Sequence, residues 1–202
     1  MDFNLLEHFG NNLSDYKVAQ DEHYPILHNW LKNLESKTRI AFINANNVEY
    51  IGYSYAKQIF RKIISNLFSG QYKVYSICFR YDALDFEQVG DGLIYALNQT
   101  EDSIFWTGEE LDIPKAVGYL SVHESSESKK VARKKEKQRE VLEYIVKKNN
   151  VYTNDIANSL KLKLPNTNRI LKDLEGKRLI RRIKETSPSG GPIYLNKSIF
   201  SA

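Results

Sequence analysis

The sequence predicts two domains of different fold class, joined by a short basic segment. Residues 1–124 are predicted to form an α/β domain with a mixed sheet, and residues 137–202 a mainly α-helical domain that ends in a β-hairpin. Strand-like and helix-like runs alternate between residues 39 and 99, which favours helices packed on a partly parallel sheet. The charge also changes sign near residue 124, which supports a boundary there.

The distribution of charge indicates what the C-terminal part binds. Residues 1–124 hold 10 Lys/Arg against 17 Asp/Glu, a net charge of −7. Residues 125–202 hold 19 Lys/Arg against 8 Asp/Glu, a net charge of +11. A cationic C-terminal part beside an acidic body predicts a polyanionic partner for the C-terminal part only.

Apolar periodicity places the elements of the first domain. Residues 1–38 and residues 86–97 are predicted to be helical. The clearest helix has Ser54 as its expected N-cap and is marked by six apolar residues at helical spacing: Ala56, Ile59, Phe60, Ile63, Ile64 and Leu67. Runs rich in β-branched and aromatic residues predict strands at 39–44, 73–80, 103–107 and 116–122.

The segment that leads into this helix carries a family resemblance. Asn47-Val48, Ile51 and Ser54-Tyr55-Ala56 lie in a strand-to-helix turn that resembles the STAS-like domain of bacterial proteins. The resemblance covers residues 38–100 and implies a mixed sheet with helices. In the related anti-sigma-factor antagonists a partner kinase phosphorylates a serine at this turn. Ser54 is therefore interpreted either as a helix N-cap or as a phosphoacceptor.

A basic segment, residues 125–136, precedes the C-terminal domain. Its serines are able to cap a helix, and the residues that follow have no helix breaker before Asn149. We expect either one long helix or a flexible basic segment that feeds a helix. Its cations are interpreted either as a solvated helical face or as contacts to phosphates that flank a DNA site.

Residues 153–176 predict two short helices joined by a turn. Thr153 is the expected N-cap of the first helix, and Pro165 fits the first turn of the second. The second helix has an inward stripe of Thr167, Ile170, Leu171 and Leu174, which leaves four polar residues largely outward: Asn166, Asn168, Arg169 and Lys172. Amide and guanidinium groups read base edges in the major groove, and ammonium groups bind phosphate.

Two strands and a Gly/Pro/Ser tip follow the second helix. The strands are predicted at residues 179–184 and 193–195, with the tip at 187–192. Arg181, Arg182 and Lys184 lie on or beside this hairpin, where they are expected to contact the DNA backbone or the minor groove. Helix, turn, helix and hairpin in this order predict a winged helix-turn-helix.

Residues 137–196 resemble the winged-helix domains of bacterial MarR-type regulators. The resemblance is carried by Asp155-Ile156-Ala157 with Leu160, and by a second run of residues: Arg169, Leu171, Leu174, Glu175, Leu179, Ile180 and Arg182. Arg178 stands where the family usually has Gly in a left-handed turn. The resemblance implies a sequence-specific double-stranded DNA-binding protein and a transcriptional regulator. A homodimer would place two recognition helices ~34 Å apart on a palindromic site.

Three functions remain open from the sequence. In the first, the STAS-like domain of a DNA-binding regulator senses a signal or binds a regulatory protein or kinase. In the second, the protein is an interaction adaptor in a phosphorylation-controlled partner switch, with Ser54 as the acceptor. In the third, it is the DNA-targeting subunit of a larger complex, such as one for phage defence.

The sequence carries no pattern typical of an enzyme. It has no Gly-rich phosphate loop, HExxH, GxSxG or cysteine pair. Glu109, Glu110 and Asp112 are interpreted as a solvated loop, and His8, His23 and His28 as surface or cap residues. We expect no catalytic residue, no cofactor and no metal.

The expected location is the cytoplasm. No apolar run approaches the ~20 residues that span a bilayer, and the N-terminus has no basic region typical of a secretory signal. The single cysteine, Cys78, lies in an apolar run and is predicted to be a buried thiol. A reducing compartment fits this cysteine usage.

Overall fold

The computed structural model describes residues 2–35, 37–82, 86–109, 111, 113–121 and 128–201, with only the backbone described for 86–89. The chain divides into two compact units, Met1–Val122 and His123–Ala202. The interpretations of Glu110 and Asp112, and of linker residues 125–127, lie outside the described residues.

The first unit is built on a five-stranded mixed sheet. Its strands are β1 (Asp2–Asn4), β3 (Ile40–Asn44), β5 (Ser76–Arg80), β6 (Ser103–Thr107) and β7 (Lys115–Gly118), in the order β1-β3-β5-β6-β7. The first four strands run parallel, and β7 is antiparallel to β6. A separate parallel pair joins β2 (Asn12–Leu13) to β4 (Tyr50–Ile51). The predicted mixed α/β domain is confirmed at this level.

The helices of the first unit connect these strands. They are α1 (Leu5–Phe9), α2 (Tyr16–Val18), a π-helical turn (Ala19–His23), α3 (Tyr24–Asn33), α4 (Tyr53–Phe68) and α5 (Phe86–Asn98). The apolar stripe predicted for α4 is buried as expected, and Phe60 meets Phe79 of β5 edge-on at 5.0 Å. The core of this unit therefore forms where α4 packs on the side chains of β5.

Three predictions for the first unit are wrong. Residues 1–38 are not uniformly helical, because β1 and β2 pair with distant strands that a local pattern does not reveal. Gly52, and not Ser54, is the N-cap of α4, so Ser54 lies exposed inside the first turn. His28 is half-buried and hydrogen-bonds to the Tyr72 hydroxyl at 2.8 Å, so it is neither a surface residue nor a cap. His23 does take the N-cap position of α3, although its ring makes no capping hydrogen bond and instead meets the Tyr55 hydroxyl at 2.7 Å.

The second unit combines three helices with a three-stranded antiparallel sheet. The elements are α6 (Lys129–Lys148), β8 (Asn150–Tyr152), α7 (Thr153–Ser159), α8 (Leu164–Gly176), β9 (Ile180–Thr186) and β10 (Pro192–Ser198). The strand order is β8-β10-β9. The two short helices and the hairpin lie where the sequence predicts them, and β8 adds a strand that the sequence did not indicate.

Local contacts explain where the helices of the second unit begin and end. The basic segment from Lys129 is one continuous helix, capped by the Ser128 hydroxyl, which accepts from the Val131 amide at 3.4 Å. Thr153 is not the N-cap of α7; that residue is Tyr152. The Thr153 hydroxyl is buried and accepts from Asn196 Nδ2 at 3.1 Å. Arg178 adopts the left-handed turn expected at the end of α8, with φ of 56°.

Cys78 is buried in β5, as predicted. Burial raises the pKa of its thiol to about 12, so the thiol stays protonated at neutral pH. Among the described helices, none is both long and apolar enough to cross a membrane.

Candidate nucleic-acid interface

Helix α8 presents a polar face to solvent. Thr167, Ile170, Leu171 and Leu174 are buried, as their spacing predicts. Asn166, Arg169 and Lys172 are exposed. Within the described part of the chain, none of these three side chains has a hydrogen-bond or ion-pair partner. Their donor groups are therefore available to a ligand.

The fourth polar residue of α8 has a different environment. Asn168 is half-buried, and its Oδ1 accepts from Arg182 Nη2 at 3.2 Å. The Arg182 side chain is only 4% exposed and lies over the Tyr194 ring at 4.4 Å. Its Nη1 is 3.8 Å from the Glu175 carboxylate. These contacts fix the hairpin against one edge of α8.

The strand register separates the three cations of the hairpin. Arg181 and Arg182 are neighbours in β9 and so point to opposite faces of the sheet. Arg182 and Lys184 share the face that meets α8, and Arg181 shares the other face with Ile183. Lys184 is exposed and lies opposite Tyr194 of β10. Of the three, Lys184 is the cation that faces solvent on the side of α8.

The tip of the hairpin is a closed turn. The Ser187 amide donates to Gly191 O at 2.8 Å, and the Ser187 hydroxyl accepts from the Gly191 amide at 3.1 Å. Gly190 adopts φ of 87°, a conformation that favours glycine. The tip is therefore held in one shape.

A cleft of about 540 Å³ opens between the N-terminal ends of α7 and α8 and the hairpin. Its lining includes Tyr152, Asp155, Leu164, Asn168 and Pro188, and no lysine or arginine lies among the described lining residues. Tyr152 and Leu164 are 39% and 44% exposed. Neither residue is predicted as part of a site from the sequence. For Leu164 the signal is a large apolar residue directly before Pro165, outside the inward stripe of the helix.

A carboxylate fixes Tyr152 at the edge of this cleft. Its hydroxyl donates to Glu185 Oε2 at 2.9 Å. This hydrogen bond raises the pKa of the Tyr152 phenol. Tyr152 therefore stays neutral and presents its ring beside the hairpin.

The basic helix α6 contacts α8 from the other side. Gln138 is buried, and its Nε2 donates to Asp173 Oδ2 at 3.2 Å. Lys134 Nζ lies 4.0 Å from the same carboxylate. The Asp173 carboxylate is thus engaged by α6, and among the described residues it forms no ion pair with Arg169 or Lys172. Lys129, Lys130 and Arg133 are exposed at the start of α6.

The other predicted site residue, Ser54, lies in the first unit. It is exposed, and its hydroxyl has no hydrogen-bond partner among the described residues. Helical spacing puts it on the same outer face as Lys57, Gln58 and Arg61. Within the described residues, no group of three or more His, Cys, Asp or Glu side chains is placed to hold a metal ion.

No protein-family model, curated protein or solved structure matches this chain. The functional argument therefore depends on the geometry and charge of the chain's own residues.

Proposed function

We propose that this protein binds double-stranded DNA sequence-specifically and regulates transcription, with the second unit acting as a winged helix-turn-helix. In this proposal α8 is the recognition helix and the β9–β10 hairpin is the wing. The observation that carries the proposal is the exposed face of α8, where Asn166, Arg169 and Lys172 have no partner among the described residues. Unpartnered amide and guanidinium donors on one helical face suit the base edges of the major groove.

The surroundings of this face support the same function. Residues 125–202 carry a net charge of +11, which attracts the phosphate backbone. Lys184 on the wing and the exposed cations at the start of α6 belong to this charge. A polyanion is attracted most strongly to the exposed surface on which these positive charges lie.

The placement of Asn168 and Arg182 refines the expected contacts. Both residues are engaged with each other, and Arg182 is almost fully buried. We assign them to positioning the wing against the recognition helix. The proposed DNA contacts are then Asn166, Arg169, Lys172 and Lys184, with Arg181 on the opposite face of the wing free to approach the flanking backbone.

Selection of binding sites from random duplexes tests this proposal. We expect the full-length protein to enrich one sequence class, and Arg169→Ala to lose selective binding of it in gel shifts while the protein stays folded by circular dichroism. Lys147→Ala removes the same charge from the end of α6 and is the matched control; it should keep its selectivity. Enrichment of no sequence, or unchanged selectivity in Arg169→Ala, would remove the proposal.

A second candidate function is an adaptor in a phosphorylation-controlled partner switch, in which the first unit is STAS-like. Ser54 favours it, because this exposed serine lies in the first turn of α4 and three residues before Lys57. A phosphate there would gain from the positive helix end and from the lysine. Phosphopeptide mass spectrometry across growth states is the test, and an unmodified Ser54 in all of them would count against this function.

A further inference from the structure

The outer face of α4 carries a cationic groove in a unit that is otherwise acidic. Lys57, Arg61 and Lys62 lie along this helix, and α4 contains no Asp or Glu. The cations border a groove of about 600 Å³ that also includes Tyr24 of α3 and Thr100 after α5. This groove belongs to the first unit and has no part in the proposed DNA contacts.

Two of the cations of this groove form no ion pair with the described part of the protein. Lys57 and Arg61 have no ion-pair or hydrogen-bond partner among the described residues. They are four residues apart, one helical turn or ~6 Å along the axis, where like charges destabilise a helix. Residues 1–124 contain 17 Asp/Glu, yet none lies on α4 to form a pair. A groove lined mainly by cations without an ion-pair partner attracts an external anion.

The floor of the groove is held in one arrangement. Asn66 Nδ2 donates to the Tyr24 hydroxyl at 2.9 Å and lies 3.3 Å from the Tyr72 hydroxyl, which in turn meets His28 Nδ1 at 2.8 Å. Lys62 Nζ lies 5.2 Å above the centre of the Tyr24 ring. The position of one cation and of the polar groups below it is therefore set before a ligand arrives.

The shape and charge of the groove favour a small ligand over DNA. A volume of about 600 Å³ is typical of small-molecule sites. The net charge of −7 over residues 1–124 repels a long polyanion, whereas a compact anion interacts mainly within a Debye length of ~8 Å, where the three cations dominate. Asp102, on the turn after α5, also lines the groove, and its negative charge repels phosphate from that end of the groove.

We propose that this groove binds a small molecule that carries two or more linked phosphate groups, such as a nucleoside di- or triphosphate. The phosphates lie along Lys57, Arg61 and Lys62, and the rest of the molecule lies beside Tyr24 and Asn66. Lys57 and Arg61, one helical turn apart, match two linked phosphates through charge-assisted hydrogen bonds, and Lys62 adds its charge beside Arg61. The proposal does not depend on DNA binding by the second unit.

Calorimetric titration of the full-length protein tests this site with four probes: ATP, GTP, inorganic pyrophosphate and adenosine. We expect at least one of the three phosphate compounds to bind and adenosine not to bind. Arg61→Gln should weaken the phosphate compound about tenfold or more, because it removes a charge-assisted contact. Lys57→Gln, at an exposed position, repeats the test if Arg61→Gln unfolds.

Lys73→Gln is the matched control, because it removes an exposed cation of the same unit outside the groove. Lys73→Gln should bind each phosphate compound with the same affinity as the unchanged protein. Three results would overturn the proposal: no heat from any phosphate compound, equal binding by Arg61→Gln, or adenosine binding as tightly as ATP. A loss of duplex DNA binding in Arg61→Gln would also overturn it, since the cations would then belong to the DNA surface.

Discussion

At the scale of single residues, the three hairpin cations show that adjacent residues of one strand can have different roles. Arg181 is half-buried on the outer face of the sheet, Arg182 is packed on Tyr194, and Lys184 is exposed. The sequence predicts all three as DNA contacts, because the sequence of a hairpin does not show which face of the sheet a given cation lies on. Only the strand register, set by the pairing of β9 with β10, separates them.

We predict that Arg182→Ala destabilises the second unit while Arg181→Ala does not. The first change removes a buried guanidinium from Tyr194, Asn168 and Glu175, and should lower the free energy of unfolding by about 1–3 kcal/mol. The second change should stay within about 0.5 kcal/mol. Arg182→Lys should not restore stability, since an ammonium cannot make the same planar contacts. Urea denaturation measures the free energy of unfolding of all three variants. Equal losses in Arg181→Ala and Arg182→Ala would contradict the assignment of Arg182 to positioning the hairpin.

His23 makes the stability of the first unit depend on pH. It stacks on Phe9 at 4.0 Å and hydrogen-bonds to Tyr55, and burial lowers its pKa below the usual 6.5, although the nearby Glu22 opposes this. The unfolded state therefore binds a proton more readily than the folded state. The contribution of neutral, buried His23 to the free energy of unfolding is fully present above pH 6.5. It is lost as the pH falls through 6.5 toward the lowered pKa.

The corresponding experiment compares melting temperatures at about pH 7.5 and about pH 5.5. We expect the difference between the two melting temperatures to shrink in His23→Gln. It should persist in the control His8→Gln, because His8 is exposed. An undiminished difference in His23→Gln would show that other groups carry the pH dependence.

At the scale of elements, the junction between β4 and α4 depends on a glycine in another helix. A Cβ at Gly92 of α5 would lie 2.3 Å from Ile51 O and 2.4 Å from Tyr53 N. A glycine inside a helix normally weakens it, but the close approach of α5 to this junction requires one at residue 92. The same approach fixes the start of α4, and hence the direction in which Ser54 and the cationic groove face.

We predict that Gly92→Ala destabilises the first unit by more than about 1 kcal/mol, because the methyl group displaces backbone. Gly176→Ala is the matched change at the end of α8, where a Cβ meets no atom within 4 Å. It should be neutral or stabilising by up to about 1 kcal/mol, since alanine is the better helix former. Thermal unfolding of both variants checks this, and an unaffected Gly92→Ala would mean that the two backbones are not in contact.

Long amphipathic helices were predictable, and short pairing strands were not. The stripes of α4 and α8 repeat over about three and two turns, so their buried residues follow from the sequence. The strands β1 and β8 have three residues each, too few for an alternating pattern. Their existence depends on partners 40 or more residues away, β3 and β10. The caps at Ser54 and Thr153 were misplaced for a related reason, since tertiary contacts decided where each helix begins.

At the scale of the whole molecule, the charge division predicts how DNA binding responds to salt. If residues 125–202 carry the contacts, the logarithm of affinity should fall linearly with the logarithm of salt concentration. Lys172→Ala should reduce that slope by about one phosphate contact and weaken all duplexes alike. Fluorescence anisotropy between about 50 and 300 mM salt measures this, and a slope of zero would exclude a backbone-contacting surface.

The most direct test of the central claim is disulfide cross-linking of the full-length protein to a selected duplex that carries a thiol tether on one base. The native Cys78 is buried with a raised pKa and stays unreactive, so an introduced cysteine reports its own position. Asn166→Cys lies on the outer face of α8, and Glu143→Cys is an exposed control on α6. We expect rapid cross-linking at residue 166 and little at residue 143. Equal cross-linking at both positions, or none at residue 166, would contradict recognition of DNA by α8.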